Sequence, residues 1–284
     1  MTRADSGEVP VARTAEGEAG LAAIRREPGR ALIATDFDGT LAPIVADPRE
    51  ARADPGAVAG LRGLAGLVWT LAVITGRPAA EAVELGGFDG IHGLIVLGHY
   101  GLERWEEGEL SAPLVPPGVE AARERLPEVL AAAGAADGVW VEDKGSALAV
   151  HTRRVADPAG ALAALREALA GLAADVGLVV EPGRMVIELR APGMDKGAAL
   201  TALVAERKAG AVLFAGDDLG DLAAFGAVRA LRGSGHPGVT VCSASGEVSA
   251  LAAEADLVVD GPGGVAGLLG WLARSLAPSP RPAP

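Results

Sequence analysis

Cysteine is almost absent: Cys242 is the only one in 284 residues. Within one chain this excludes a disulfide framework and a cysteine-based zinc site, and a reducing, cytoplasmic setting is expected. Val239-Thr240-Val241-Cys242 reads as a buried strand, so the thiol is expected to be a core group. Aromatic residues make up only 3%, too few for a broad base-stacking surface. Positive charge is also short. Lys and Arg number 25 against 37 Asp and Glu, a formal charge of −12. That argues against wrapping nucleic acid or binding an anionic membrane, and an anionic substrate would need a local cation. The chain begins polar and acidic, without the regions of a secretory signal, and no apolar run is long enough to span a bilayer. No Walker-type Gly-Lys-Ser/Thr loop occurs. Gly233-Ser234-Gly235-His236-Pro237-Gly238 fits G-x-G-x-x-G but precedes a strand instead of opening a helix, the wrong context for a dinucleotide site.

Hydrophobic residues at 50% and charged residues at 22% fit a globular protein, and the length suits two domains. The pivotal stretch is Ala31-Leu32-Ile33-Ala34-Thr35-Asp36-Phe37-Asp38-Gly39-Thr40. An apolar, strand-forming run ends in two carboxylates one residue apart. On a strand, positions i and i+2 project to the same side, so Asp36 and Asp38 can share one site. Carboxylates that close need a cation or a shared proton. Mg²⁺ is the natural candidate, because it binds oxygen and works with phosphate. Taken alone, Asp-Phe-Asp-Gly reads equally well as a turn.

Strands alternate with helices on both sides of a proline-rich stretch. Apolar strands are expected at Trp69 to Thr75, Ile91 to Leu97, Ala211 to Ala215, Val239 to Cys242 and Leu257 to Val259, with a helix opening at Asp54-Pro55-Gly56. Between them the order changes to helix, strand, strand, helix, strand, strand, with Pro182-Gly183 as a hairpin turn. The expected fold is α/β: a Rossmann-like, mostly parallel sheet core with an inserted α+β cap domain. Its expected parts are a flexible tail over 1–20, the core over 21–112 and 193–276, the cap over 113–192 and a second flexible tail over 277–284.

Four features fall at the C-terminal ends of expected strands or on that edge, where open α/β sheets bind ligands: Asp36/Asp38, Thr75, Lys196 and Asp217/Asp218/Asp221. Together they supply what phosphoryl transfer through an aspartate needs. Asp36 can attack phosphorus, and Asp38 can act as acid and then base. Thr75 and Lys196 can hold the phosphoryl oxygens. Asp217, with Asp36 and the backbone carbonyl of Asp38, can hold Mg²⁺, and Asp218 and Asp221 complete the acidic group. Gly39, Thr40, Gly76 and Arg77 are expected to bind substrate. Each feature alone also reads as a cap, a turn or a surface lysine.

In this order the motifs resemble the haloacid dehalogenase superfamily of aspartate-nucleophile phosphatases. Asp36-Phe37-Asp38-Gly39-Thr40 is similar to its first motif, Thr75 to its second, Lys196 to its third and Gly216-Asp217-Asp218 with Asp221 to its fourth. Within it, Asp36 to Ile44, Glu142-Asp143-Lys144-Gly145, Ala149 to Arg153 and Gly183 to Arg190 resemble the trehalose-6-phosphate phosphatase family. The resemblance implies Mg²⁺-dependent hydrolysis of a small sugar phosphate, with a mobile cap that reads the disaccharide; a monomer is expected. It implies that Glu142, Lys144 and Glu188 bond sugar hydroxyls, with His151, Arg153 and Arg190 on the same side. The residues by themselves also allow Glu142 and Glu188 to form cross-strand ion pairs with Lys144 or Arg190. Another sugar-phosphate phosphatase, for sucrose phosphate or glucosylglycerol phosphate, a phosphomutase and a non-catalytic sensor are the rival readings. The chain departs from the family pattern at Gly220, at Leu222-Ala223 and at Tyr100, which stands where the family commonly has His.

Overall fold

The computed structural model of the protein describes residues 11–111, 115–183, 185–244 and 249–277. The chain divides into two compact units. One contains the residues up to Ser111 and from Asp195 onward; the other is Ala112–Met194.

The first unit is built on a sheet in the order β12-β11-β10-β1-β2-β3-β4-β5. Its strands are β1 (Ala31–Thr35), β2 (Thr70–Ile74), β3 (Leu94–Gly98), β4 (Glu103–Glu106), β5 (Glu109–Ser111), β10 (Ala211–Gly216), β11 (Gly238–Ala244) and β12 (Leu257–Asp260). The pairings from β12 through β3 are parallel. β4 and β5 add antiparallel strands at one edge. β1, β2, β3 and β10 are buried along their whole length, as strands covered on both faces must be. Alternate residues serve opposite faces. Ile33 packs with α1 (Ala15–Arg26), α2 (Pro55–Leu64), α3 (Ala79–Gly86) and α9 (Gly261–Leu276). Leu32 and Ala34 pack with α6 (Lys196–Arg207), α7 (Leu222–Gly233) and α8 (Ser249–Glu254). The strand order runs outward from β1 in both directions, to β2 on one side and to β10 on the other. The crevice between the C-terminal ends of β1 and β10 is therefore a topological switch point.

The second unit carries α4 (Pro117–Ala132), β6 (Trp140–Asp143), β7 (Ala147–His151), α5 (Pro158–Asp175), β8 (Val179–Gly183) and β9 (Val186–Arg190). Its antiparallel sheet has the order β6-β7-β9-β8. Leu148, Val150, Ile187 and Leu189 form one apolar cluster with residues of α4 and α5. By strand alternation the opposite face carries Trp140, Glu142, Ala149, His151, Glu188 and Arg190.

Several expectations need correction. The tail expected over 1–20 ends in a helix: Thr14 caps α1, and Gly17 and Gly20 are buried. Residues 1–10, and all of the expected C-terminal tail except Ala277, lie outside the described residues. The strand expected from Ile91 begins at Leu94. Pro182 and Gly183 belong to β8, paired with Ile187 and Val186, and the backbone turns later, where Met185 has φ of 58°. The β4–β5 hairpin was not expected. Its loop residues Glu107 and Gly108 have φ of 52° and 87°, the left-handed pair that a tight two-residue hairpin requires.

Candidate active site

The Asp36 amide donates to the carbonyl of Ala215 at 2.8 Å, extending the β1–β10 ladder by one residue before the chain turns away. Alternation sends Phe37 into the core, where it meets Phe88 edge to face, and leaves Asp36 at the crevice. The turn is tight because the Phe37 carbonyl accepts from the amides of Leu41 and Ala42. Gly39 has φ of 74°, and a Cβ there would lie 1.9 Å from Oδ2 of Asp217. The Ser243 hydroxyl, at the end of β11, donates to the Gly39 carbonyl at 2.7 Å and pins this loop.

Lys196 is the first residue of α6, behind the N-cap Asp195. Gly197 lets this end approach α7, since a Cβ on it would lie 2.3 Å from the Ala223 carbonyl. The buried Nζ of Lys196 stands 2.8 Å from Oδ1 of Asp36 and 2.7 Å from Oδ1 of Asp221. The other oxygen of Asp221 accepts from the amides of Asp217 and Asp218. Asp36, Asp217 and Asp221 each offer a carboxylate oxygen, and these lie within 4.8 Å of one another.

Three buried carboxylates around one ammonium leave excess negative charge. Burial is the largest cause of the raised pKa of Asp36, with Lys196 opposing it and the neighbouring carboxylates adding to it. Burial, then repulsion from Asp221 and Asp218, pushes Asp217 up to about 8. Asp221 is raised too, by burial, against the pull of Lys196. Burial works against the Lys196 charge, but Asp221 and Asp36 outweigh it, and its pKa is raised. Among the described residues no hydrogen bond reaches the carboxylate of Asp217, although the residue is buried. A desolvated carboxylate without a hydrogen-bond donor beside two more is a group that could hold a hard divalent cation.

The side chains of Asp38 and Asp218 lie outside this group of three carboxylates. Both oxygens of Asp38 accept from Arg77, at 2.7 Å each. Asp218 is exposed, and its Oδ1 accepts from the Gly220 amide in a short turn. Thr75 follows β2, buried, with its amide on Leu97 and its Oγ1 accepting from the Arg77 amide at 3.1 Å. Above it lies the Gly98–Gly101 loop, in which His99 and Tyr100 both have positive φ. The Tyr100 amide donates to the Thr75 carbonyl, and its hydroxyl would lie 2.7 Å from a Cβ on Gly76. His99 is buried beside Glu103, whose carboxylate accepts from the Ala79 amide at the start of α3; this is a structural role. Thr40 is fully buried, and its hydroxyl has no partner among the described residues.

In the second unit the expected sugar readers are paired with each other. Lys144 Nζ lies 2.7 Å from Oε2 of Glu188, and His151 Nε2 lies 2.9 Å from Oε2 of Glu142. Arg190 pairs with Glu181, and Arg153 is exposed. Oε1 of Glu188 is buried without a partner among the described residues. The His151 ring stacks on Trp140 at 4.1 Å, with the Arg154 guanidinium also over that indole. Sequence reasoning missed Trp140, Arg154 and Ser243. An aromatic on the polar face of β6 was a readable signal for the first, whereas nothing local marks Ser243.

Residues 34–261 match the family model described as trehalose-phosphatase. The chain belongs to the trehalose-phosphatase family. A trehalose-phosphate phosphatase of Mycobacterium marinum is 34% identical over 261 residues, covering 87% of this chain and 63% of that protein. The chain thus spans about three fifths of the length of that curated relative. Among solved structures, trehalose-6-phosphate phosphatase of Aspergillus fumigatus superposes with a TM-score of 0.67 at 26% identity, covering 94% of this chain and 100% of that one. The C-terminal domain of the Candida albicans enzyme gives 0.73 at 23% identity, covering 95% and 99%, and speaks for the fold. The haloacid dehalogenase fold expected from the motifs is the fold of this family member. Among the described residues no helix is long and apolar enough to cross a membrane.

Proposed function

We propose that this member of the trehalose-phosphatase family hydrolyses trehalose 6-phosphate to trehalose and phosphate, the last step of trehalose biosynthesis. The observation that carries the reading is the group Asp36, Lys196, Asp217 and Asp221, gathered at the switch point of the sheet. In the first step a carboxylate oxygen of Asp36 attacks phosphorus. The bond from phosphorus to the sugar oxygen breaks, and Asp38 gives its proton to the departing oxygen. In the second step water attacks the phosphorus of the aspartyl-phosphate and loses a proton to Asp38. Phosphate leaves, and the Asp36 carboxylate returns. Lys196 neutralises part of the charge on Asp36 and, with Thr75, orients phosphoryl oxygens. Mg²⁺ is the cation we propose, held by Asp36 and Asp217 with Asp221 behind them; when bound it offsets the repulsion between an anionic nucleophile and an anionic ester. Glu142, Lys144 and Glu188 are proposed to read the sugar hydroxyls, as charged groups suited to hydroxyl donors and acceptors.

The test is phosphate release from trehalose 6-phosphate beside sucrose 6-phosphate, glucosylglycerol phosphate and glucose 6-phosphate, with Mg²⁺ and with a chelator. Preferential, chelator-sensitive release from trehalose 6-phosphate is expected; faster turnover of another ester would reassign the substrate. A cytoplasmic monomer is part of the proposal. The one thiol, Cys242, is buried and pushed by burial up to about 11, which suits an inert core group in a reducing compartment.

A further inference from the structure

We infer that Arg77 is the positioning residue for Asp38 and makes no contact with the substrate phosphate. The inference rests on the phosphatase reading above and gives its acid–base group a partner. Arg77 reaches Asp38 with Nε and Nη2, each at 2.7 Å, and among the described residues no other donor bonds that carboxylate. The guanidinium is itself anchored. Nη2 also donates to the Pro48 carbonyl at 2.9 Å, Nη1 donates to Glu81, and the cation lies over the Phe37 ring at 5.6 Å. Four of the five N–H donors of an arginine are thereby used. Only 10% of the Arg77 side chain is exposed, against 34% of that of Asp38. An anchored, partly buried cation therefore holds a carboxylate that reaches solvent more freely.

This arrangement suits the work assigned to Asp38. That group must present an oxygen first to the departing sugar oxygen and then to the attacking water. A planar, two-point grip fixes the plane of the carboxylate, which a lone lysine cannot do. Arg77 gains and loses no proton in either step. A substrate phosphate seeking Arg77 would instead have to displace Asp38, Glu81 or the Pro48 carbonyl.

The discriminating measurement compares esters that differ in their need for an acid. A sugar alkoxide leaves poorly without a proton, whereas 4-nitrophenolate leaves unaided. Single-turnover cleavage of trehalose 6-phosphate and the pre-steady-state burst of nitrophenolate from 4-nitrophenyl phosphate are measured for wild type, R77A, R77K, E81Q and D38N. We expect R77A to lower the sugar-ester rate by ~100-fold, the size of a lost acid–base contribution, with KM little changed and a loss on the aryl ester several-fold smaller. R77K, with charge but no fork, should recover only part of the loss, and E81Q, which loosens the anchor, should fall the same way by less. Equal losses on both esters, or a raised KM for both with kcat unchanged, would overturn the inference and make Arg77 a substrate-binding residue. Should R77A fail to fold, E81Q and R77K still decide it through the ratio of the two rates. If D38N shows no dependence on the leaving group, the acid–base assignment itself is wrong. If D38N shows it and the Arg77 and Glu81 variants do not, only the present inference fails.

Discussion

At position 36 the carboxylate proposed as nucleophile is held between a lysine that steadies its charge and three aspartates that oppose it. Asp36→Asn removes the attacking oxygen and one buried charge together. We expect turnover to fall by ~10⁴-fold or more, while Tm in chelator holds or rises, because a repulsive group has gone. Loss of both activity and folded structure would instead make Asp36 a structural residue. Asp217 gives a pH prediction. Its folded pKa of about 8 lies above the ordinary 3.8, so between those values the metal-free folded state binds protons that the unfolded chain does not. Stability from this group is therefore present at low pH and lost as pH rises toward 8. Added Mg²⁺ competes with that proton. The Tm gain from Mg²⁺ should grow from pH 5 to pH 8.5 in wild type and be abolished in Asp217→Asn, as scanning calorimetry would show. At this scale the motifs were legible because strand ends and period-two alternation bring Asp36, Lys196, Asp217 and Asp221 to one edge. The grip of Arg77 on Asp38 and the Ser243 contact were not, since they join residues far apart in the chain and leave no local pattern.

Among the elements, α1 shows how a helix can read as a tail. Its sequence contains Gly17 and Gly20, poor helix formers. The structure gives the reason: a Cβ on Gly20 would lie 2.4 Å from the Gly238 carbonyl, so the helix lies directly on β11. The fastening is Asp256, 2% exposed, which accepts from the hydroxyl of Thr14, the amide and hydroxyl of Thr240, and Arg232. Burial pushes its pKa up, but these donors together outweigh burial and hold it below the usual carboxylate value. A lowered folded pKa adds stability above the unfolded value of 3.8, and that stability is lost as pH falls through the folded pKa. Asp256→Asn should destabilise the protein by about 3 kcal/mol at neutral pH and flatten the acid limb of its stability curve. Urea titrations at pH 7 and pH 3.5 would check this, and an unchanged midpoint at pH 7 would remove Asp256 from that role. The β4–β5 hairpin escaped the sequence for a different reason: its strands are short and charged, and β5 is exposed throughout, so no apolar alternation announces it.

On the scale of the whole molecule, one unit is discontinuous and the other is not. β1 needs β10, some 180 residues later by number, to cover its second edge, and both segments are needed to make the switch point. The second unit runs unbroken from Ala112 to Met194 and has its own sheet and apolar cluster. We expect residues 112–194 expressed alone to show cooperative thermal unfolding, and residues 1–111 alone to lack it, because β1 would present a bare hydrophobic edge. Cooperative unfolding of 1–111 would contradict the dependence on β10. The insertion was legible from its change of helix–strand rhythm. The position of β10 beside β1 was not, since parallel strands leave no turn in the sequence to name their neighbour.

Gly39 carries a heritable consequence. Changes at the third base of a glycine codon are silent, but every single-base change at the first or second yields a residue with a side chain or a stop, and at this position any such carbon meets Asp217 at 1.9 Å with the backbone at φ of 74°. Drift at codon 39 is therefore confined to its third base: each one-step replacement of the residue must displace a carboxylate proposed to hold the metal.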